Sequence, residues 1–318
     1  MSVPKEPACK YGPYLFLIAA LLLGGCAGAP QAERILAAEP EELARERELK
    51  EVPFFPQERY QCGPAALATV LRHSGVEITP EELVPRVYLP ERQGSLQVEM
   101  VAAARQAGRI AYPIAPSLNA LLREIQGGHP VLVLQNLGLS WLPTWHYAVA
   151  VGYHLKDAHV VLRSGTVPRR LTPLRAFENT WRRSSFWGVI LLRPGELPAT
   201  GNPRDYFLAV SDFAASNPAD QALTAYAAGA GRWPESEALG MAVGNLHYHR
   251  NDLASAARAY RRVLTANNDY APAHNNLAQV LHELGDDDAL IHARRAVALG
   301  GPHAEQYRDT LKTIRQGP

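Results

Sequence analysis

The chain has 318 residues, of which 47% are apolar and 20% charged, with a formal net charge of +1. Those are ordinary values for a soluble globular protein long enough for two domains, and nothing in the balance points to nucleic acid, whose binders carry a basic face or stripe. Only three cysteines occur, and with Cys9 and Cys26 in an atypical N-terminal segment, Cys62 has no partner for an internal disulfide. A lone cysteine in an exported protein is removed, buried and inert, or kept for its thiol chemistry.

The N-terminus places Lys5 and Lys10 ahead of an apolar stretch from Tyr14 to Leu23, followed by Gly24 and Gly25. A charged region before a short apolar core is the pattern of a secretory signal, and the apolar run is about half of what a membrane-spanning helix needs. The run Leu23-Gly24-Gly25-Cys26 resembles a bacterial lipobox. The resemblance implies a signal peptide over residues 1–25 and lipidation of Cys26, with plain cleavage near Ala27 or Ala29 as the competing reading. No aspartate stands at the second mature position, which by the same resemblance implies an exported protein anchored in the outer membrane and facing the periplasm. Residues 26–50 then form a tether, the alternating charges from Glu39 to Glu51 reading as solvated chain or a short helix.

The sharpest chemical signal follows Val52. Pro53 and Pro56 hold an extended segment, and Ala65 to His73 carries apolar positions at helical spacing, so Cys62 sits at a helix start. Unpaired amides and the positive helix end there favour a thiolate and lower a cysteine pKa from its usual value of about 8.5. Gly63 allows backbone to approach a substrate, and Pro64 suits a first helical turn. Gln57, five residues upstream, offers a side-chain amide to a tetrahedral oxyanion. The competing reading is a small buried cysteine at a Cys-Gly-Pro helix start.

A thiol also needs a base. His146 follows the loop from Leu139 to Trp145 and opens the apolar run Tyr147-Ala148-Val149-Ala150-Val151, so a strand would hold its ring at a sheet edge while Trp141 and Trp145 wall the site from water. His73, His129, His154 and His159 have structural or surface readings. Together, Gln57, Cys62-Gly63-Pro64-Ala65-Ala66, the later Gly128-His129-Pro130-Val131 and His146 before a strand ending in Gly152-Tyr153 resemble the bacteriocin-processing peptidase family. Those papain-like cysteine peptidases cut leaders after a double glycine, and the resemblance spans about Val52 to Pro194. It implies Cys62 as nucleophile, His146 as general base and Gln57 in the oxyanion hole. The family's third member is an aspartate after the next strand, and here His159-Val160-Val161-Leu162 runs into Arg163-Ser164-Gly165. Ser164 is the nearest positional match, able to orient the histidine without supplying charge, whereas Asp157 reads as a turn residue.

Further helices are expected from Pro80, over Leu96 to Ala107, and over Asn119 to Gln126, with strands from Pro130 to Leu134 and from Phe186 to Leu192, the last closing the sheet. The expected fold is therefore an α+β papain-like domain over residues 51–195, with helices packed on an antiparallel sheet. A linker at 196–204 leads to an all-α tetratricopeptide-repeat domain at 205–315. There a 34-residue period aligns Ala222 with Ala256, Tyr226 with Tyr260, and Val210 with Gly244 and Ala278, giving about three units. His247 and His249 diverge on their helix, so no metal site is expected.

The leading functional expectation is a membrane-anchored thiol peptidase acting on a peptide or protein substrate, with the repeats docking a protein partner and no cofactor required. A catalytically weak peptide-binding lipoprotein and an acyltransferase using the same thiol stay open as alternatives.

Overall fold

The protein is described by a computed structural model covering residues 28–38, 40–56 and 61–316. The signal segment, Cys26 and Gln57 lie outside the described residues.

Residues expected as a tether are part of the first domain. Helix α1 (Pro30–Ala38) buries Ala32 and Ile35, and its first amides, which no helical carbonyl can serve, donate to the buried carboxylate of Glu178: Gln31 N at 3.1 Å and Ala32 N at 2.7 Å. Strand β1 (Glu46–Glu48) then pairs antiparallel with residues 152–154. The charge alternation that reads as solvated chain belongs to a strand whose partner lies over 100 residues away. Local pattern carries no trace of that pairing.

Helix α2 (Cys62–His73) is the central helix. Its run of Ala65, Ala66, Leu67, Ala68, Val70 and Leu71 is buried, the small residues letting it lie close on the sheet. Helices α3 (Pro80–Val87) and α4 (Gln97–Gln106) pack beside it, and α5 (Leu118–Gln126) covers the neighbouring strands. The capping box expected of a Thr-x-x-Glu start closes α3, with the side chains of Thr79 and Glu82 serving each other's amides.

The sheet contains β2 (Ile110–Pro113), β3 (Val131–Asn136), β4 (Trp145–His154), β5 (His159–Ser164), β6 (Val167–Pro173) and β7 (Gly188–Leu192), in the order β2-β7-β3-β4-β5-β6. Every pairing is antiparallel. Strand β7 does not close the sheet: it sits between β2 and β3, and all five of its residues are buried, as an interior strand requires. The edges are β2 and β6, and β6 is exposed along nearly its whole length and carries Pro168, Arg169 and Arg170, a composition that discourages pairing with another chain. Helix α6 (Leu174–Arg182) follows, burying Phe177 and Trp181.

The α-helical region holds seven helices among the described residues: α7 (Pro203–Ala214), α8 (Ala219–Arg232), α9 (Glu237–His249), α10 (Leu253–Ala266), α11 (Ala271–Glu283), α12 (Ala289–Leu299) and α13 (Ala304–Gln316). They pack as three successive pairs with α13 against the last. The period has a packing cause at Gly244, where a Cβ would lie 2.3 Å from the Tyr260 ring; only a glycine lets α9 and α10 approach around that aromatic.

The repeats do not hang free. Tyr206, Val210 and Phe213 of α7 share one apolar core with the sheet, whereas Tyr260, Leu277 and Leu281 form a separate cluster. Asp212 pairs with Arg105 at 2.5 Å, and Asn217 Nδ2 donates to the Arg105 carbonyl at 3.1 Å. The linker itself is clamped by buried Glu124, which accepts from Ala199 N (3.0 Å), Thr200 N (2.8 Å), Thr200 Oγ1 (2.6 Å) and the His129 ring (2.9 Å). Burial alone would raise this carboxyl's pKa, but the bonds from His129, Thr200 and the two amides outweigh it and hold Glu124 below the usual carboxylate range.

Replacing this carboxylate leaves several buried donors unpaired, so Glu124→Ala is expected to lower stability by about 3 kcal/mol, read from the urea midpoint. Because the folded pKa is depressed, the Glu124 contribution is complete above the unfolded value of about 4.3 and disappears as pH falls through the folded one. A loss below about 0.5 kcal/mol, the range of an uninvolved surface site, would show that other contacts hold the linker.

Candidate active site

Cys62 opens α2, and the N-cap residue Gln61 makes no side-chain cap bond, so the first-turn amides remain for the thiol. The sulfur is half-buried, and the backbone amides of Tyr147 and of the first turn of α2 favour its charged form. Tyr147 is the residue after His146. Helix α2 packs on β4, the strand that carries the imidazole.

His146 stands on β4 opposite Gln135 of β3. Its Nε2 lies 2.8 Å from Oγ of Ser164, which is buried at the end of β5. With Nε2 engaged, Nδ1 is the ring nitrogen left for the thiol. Cys62 and His146 both line a cavity of about 1090 Å3, with Ser95, Trp145, Arg183 and Trp187 among its walls. On the other side of the imidazole is a recess of about 300 Å3 that contains Ser164 and Arg170. Three residues distant in sequence thus meet from α2, β4 and β5.

The electrostatics differ from the expectation of a thiolate. Burial raises the Cys62 pKa, outweighing the nearby backbone amides that lower it. Burial also depresses His146, with Arg170 adding repulsion, to about 4. The helix start acts in the expected direction, but removal from water is the larger effect. Ser164, being neutral, gives an imidazolium no compensating charge, so the resting pair is thiol and neutral imidazole.

Other sequence expectations are placed as follows. Trp145 lines the cavity, whereas Trp141 projects into solvent. Gly63 is buried under Ser95, whose Oγ would stand 2.3 Å from a Cβ there; the glycine admits a neighbouring loop, not a substrate. His73 bonds Gly128 O (3.2 Å), His129 bonds Glu124, and His154 pairs with Glu46 (3.2 Å), all away from the thiol. His247 pairs with Asp252 at 3.2 Å. Sequence reasoning missed Tyr147, whose hydroxyl also donates to Ser95 O at 3.2 Å, and Arg170, which acts on His146 from an edge strand that local pattern does not announce.

Residues 49–189 match the model of the Peptidase_C39 like family, and residues 244–285 match a TPR repeat. The first domain is thus similar to that family over nearly its whole length. An uncharacterised protein of Methanothermobacter thermautotrophicus is 34% identical over 99 residues, 31% of this chain and 62% of that protein, so the match spans less than two thirds of the relative. Among solved structures, a putative C39-like peptidase from Bacillus anthracis is 16% identical with a TM-score of 0.39, covering 46% of this chain and 98% of that one. A double glycine motif protease from an AMS/PCAT transporter, solved with its leader peptide, is 21% identical with a TM-score of 0.35, covering 47% and 95%.

The neutral pair is open to direct test. The His146 ring, followed by 15N NMR, should titrate at about pH 4 and stay neutral at pH 7. Ser164→Asp should raise that value, because a carboxylate on Nε2 stabilises the imidazolium, and should thereby lower the titration of the Cys62 thiol. An unperturbed wild-type midpoint near 6.5, or no movement in Ser164→Asp, contradicts this account of the site.

Proposed function

We propose that the chain is a membrane-anchored thiol peptidase of the cell envelope, with Cys62 as nucleophile, His146 as general base, Ser164 as the residue that orients the imidazole, and Gln57 in the oxyanion hole. The observation that carries this reading is the convergence of Cys62, at the start of α2, and His146, on β4, at the wall of one cavity.

The chemistry follows from two neutral partners. As Sγ attacks a substrate carbonyl, its proton passes to Nδ1 of His146, so thiolate character develops only with the new C–S bond. The negative charge arising on the carbonyl oxygen is met by backbone N–H at the start of α2 and by the Gln57 amide. His146 returns the proton to the departing amine, leaving a thioester. It then takes a proton from a water whose oxygen attacks the thioester carbonyl; the C–S bond breaks, the imidazolium returns the proton to the departing sulfur, and the acyl group leaves as a carboxylic acid. Side chains and water suffice.

The anchor is proposed at Cys26 after removal of residues 1–25, placing the enzyme on the outer membrane toward the periplasm. Its substrate is a peptide or protein segment there, and the TPR array docks a protein partner. Between α9, α10 and α11 a recess of about 240 Å3 is lined by Asn245, Tyr248, Asn276 and Gln279, side chains suited to bond the backbone of an extended peptide.

A second reading, a peptide-binding domain with a weakened site, is favoured by the raised thiol and the serine in place of a carboxylate. The two separate cleanly. Comparison of protein N-termini in cells carrying the wild type and Cys62→Ala should show a set of termini present only with the thiol, and Gln57→Ala should cut kcat on such a substrate by about 100-fold or more. If the two sets of termini coincide while the repeats still capture their partner, the binding reading replaces the enzymatic one.

A further inference from the structure

The loop joining β3 to β4 presents an apolar tip that the cleft does not use. Leu139, Trp141 and Leu142 are 52%, 79% and 62% exposed. Pro143, Thr144 and Trp145 line the cavity, while those three residues do not. The tip is braced. Asn136 Oδ1 accepts from the amides of Gly138 and Thr144 at 2.9 Å each, and Leu139 and Leu142 exchange backbone bonds at 3.1 and 3.2 Å. Arg183 Nη1 donates to the Gly138 carbonyl at 2.9 Å. Three large apolar side chains are therefore held together in water instead of folding back, the mark of a surface that something covers.

Where the chain leaves toward the anchor shows what that is. The Gly28 carbonyl accepts from Arg182 Nη1 at 3.2 Å, and Arg182 is the sequence neighbour of the Arg183 that braces the loop. Cys26 lies two residues upstream of Gly28, a reach of about 7 Å at most. Gly28, two residues after the proposed lipid attachment, and Gly138, at the base of the apolar tip, are thus bonded by arginines adjacent in sequence at the end of α6. Both arginines are exposed, and among the described residues neither is paired with a carboxylate. Tryptophan and leucine beside exposed guanidiniums that bond only neutral oxygens match a bilayer boundary, where an indole sits at headgroup level and arginine reaches phosphate.

We infer that the tip formed by Leu139, Trp141 and Leu142 docks into the surface of the bilayer that carries the Cys26 lipid, turning the mouth of the Cys62 cleft toward the membrane. This rests on the lipid anchor of the proposed function. The substrate segment would then be one presented close to the lipid surface, and the apolar tip would fix the distance between that surface and the thiol.

The test uses the acylated full chain, purified from membranes and reconstituted on phosphatidylethanolamine and phosphatidylglycerol vesicles containing brominated acyl chains. Quenching of tryptophan fluorescence is expected. Trp141→Phe should remove at least half of the quenching, and Leu139→Ser with Leu142→Ser should reduce it at least two-fold with all tryptophans present. Protein that stays with the vesicles but shows quenching unchanged by Trp141→Phe overturns the docking and leaves the anchor standing. Protein that fails to stay with the vesicles overturns both. If a soluble peptide substrate, and not lipid, shields Trp141 from aqueous acrylamide, the tip is a substrate wall and the inference falls.

Discussion

The contact between the first turn of α2 and the start of β4 is the constraint on which the rest of the first domain depends. A sulfur on a helix and an imidazole on a strand have no local reason to meet. They meet because the alanine-rich face of α2 packs on the sheet, against β4 above all. Around this contact the remaining parts take their places: β5 brings Ser164 to Nε2, and the Tyr147 hydroxyl holds the Ser95 loop over Gly63. Glu124 extends the same order to the helical array by fixing the linker, so that the first helix pair shares a core with the sheet.

Burial positions these groups and also discharges them. The apolar walls that orient the ring and thiol remove the water that would solvate an ion pair, and Arg170 adds repulsion to an imidazolium. A carboxylate on Nε2 would offset that cost. Ser164 fixes the ring without doing so. The arrangement favours transfer of the proton during attack over a nucleophile ionised in advance, and it makes the local dielectric of the cavity, which a bound substrate changes, part of the chemistry.

The α+β class, the position of Cys62 at a helix start, the strand carrying His146 and the 34-residue helical period were all legible in the sequence, because each rests on short-range pattern: a turn-and-helix motif, an apolar alternation, a recurring small residue opposite Tyr260. The meeting of Ser164 with His146 was legible only through family resemblance. What stayed hidden depends on distant partners. Strand β1 has three residues and pairs with β4, so its charges read as a tether; β7 is last in the domain and yet interior in the sheet, since strand order is set by packing and not by sequence. The direction of the Cys62 shift was hidden for the same reason: helix ends are visible in a sequence, and the depth of a cavity is not. Cys26 and Gln57 belong to segments outside the described residues, and their roles rest on pattern alone.

The claim at the centre is that Cys62 and His146 act as one proton-sharing unit across the contact between helix and sheet. The rate at which iodoacetamide alkylates Cys62 at pH 7 in folded wild type, against folded His146→Ala, measures that coupling. A fall of at least about ten-fold on loss of the imidazole is expected for a base that removes the thiol proton during attack. Equal rates in the two proteins would contradict the account, leaving the thiol and the ring as neighbours without shared chemistry.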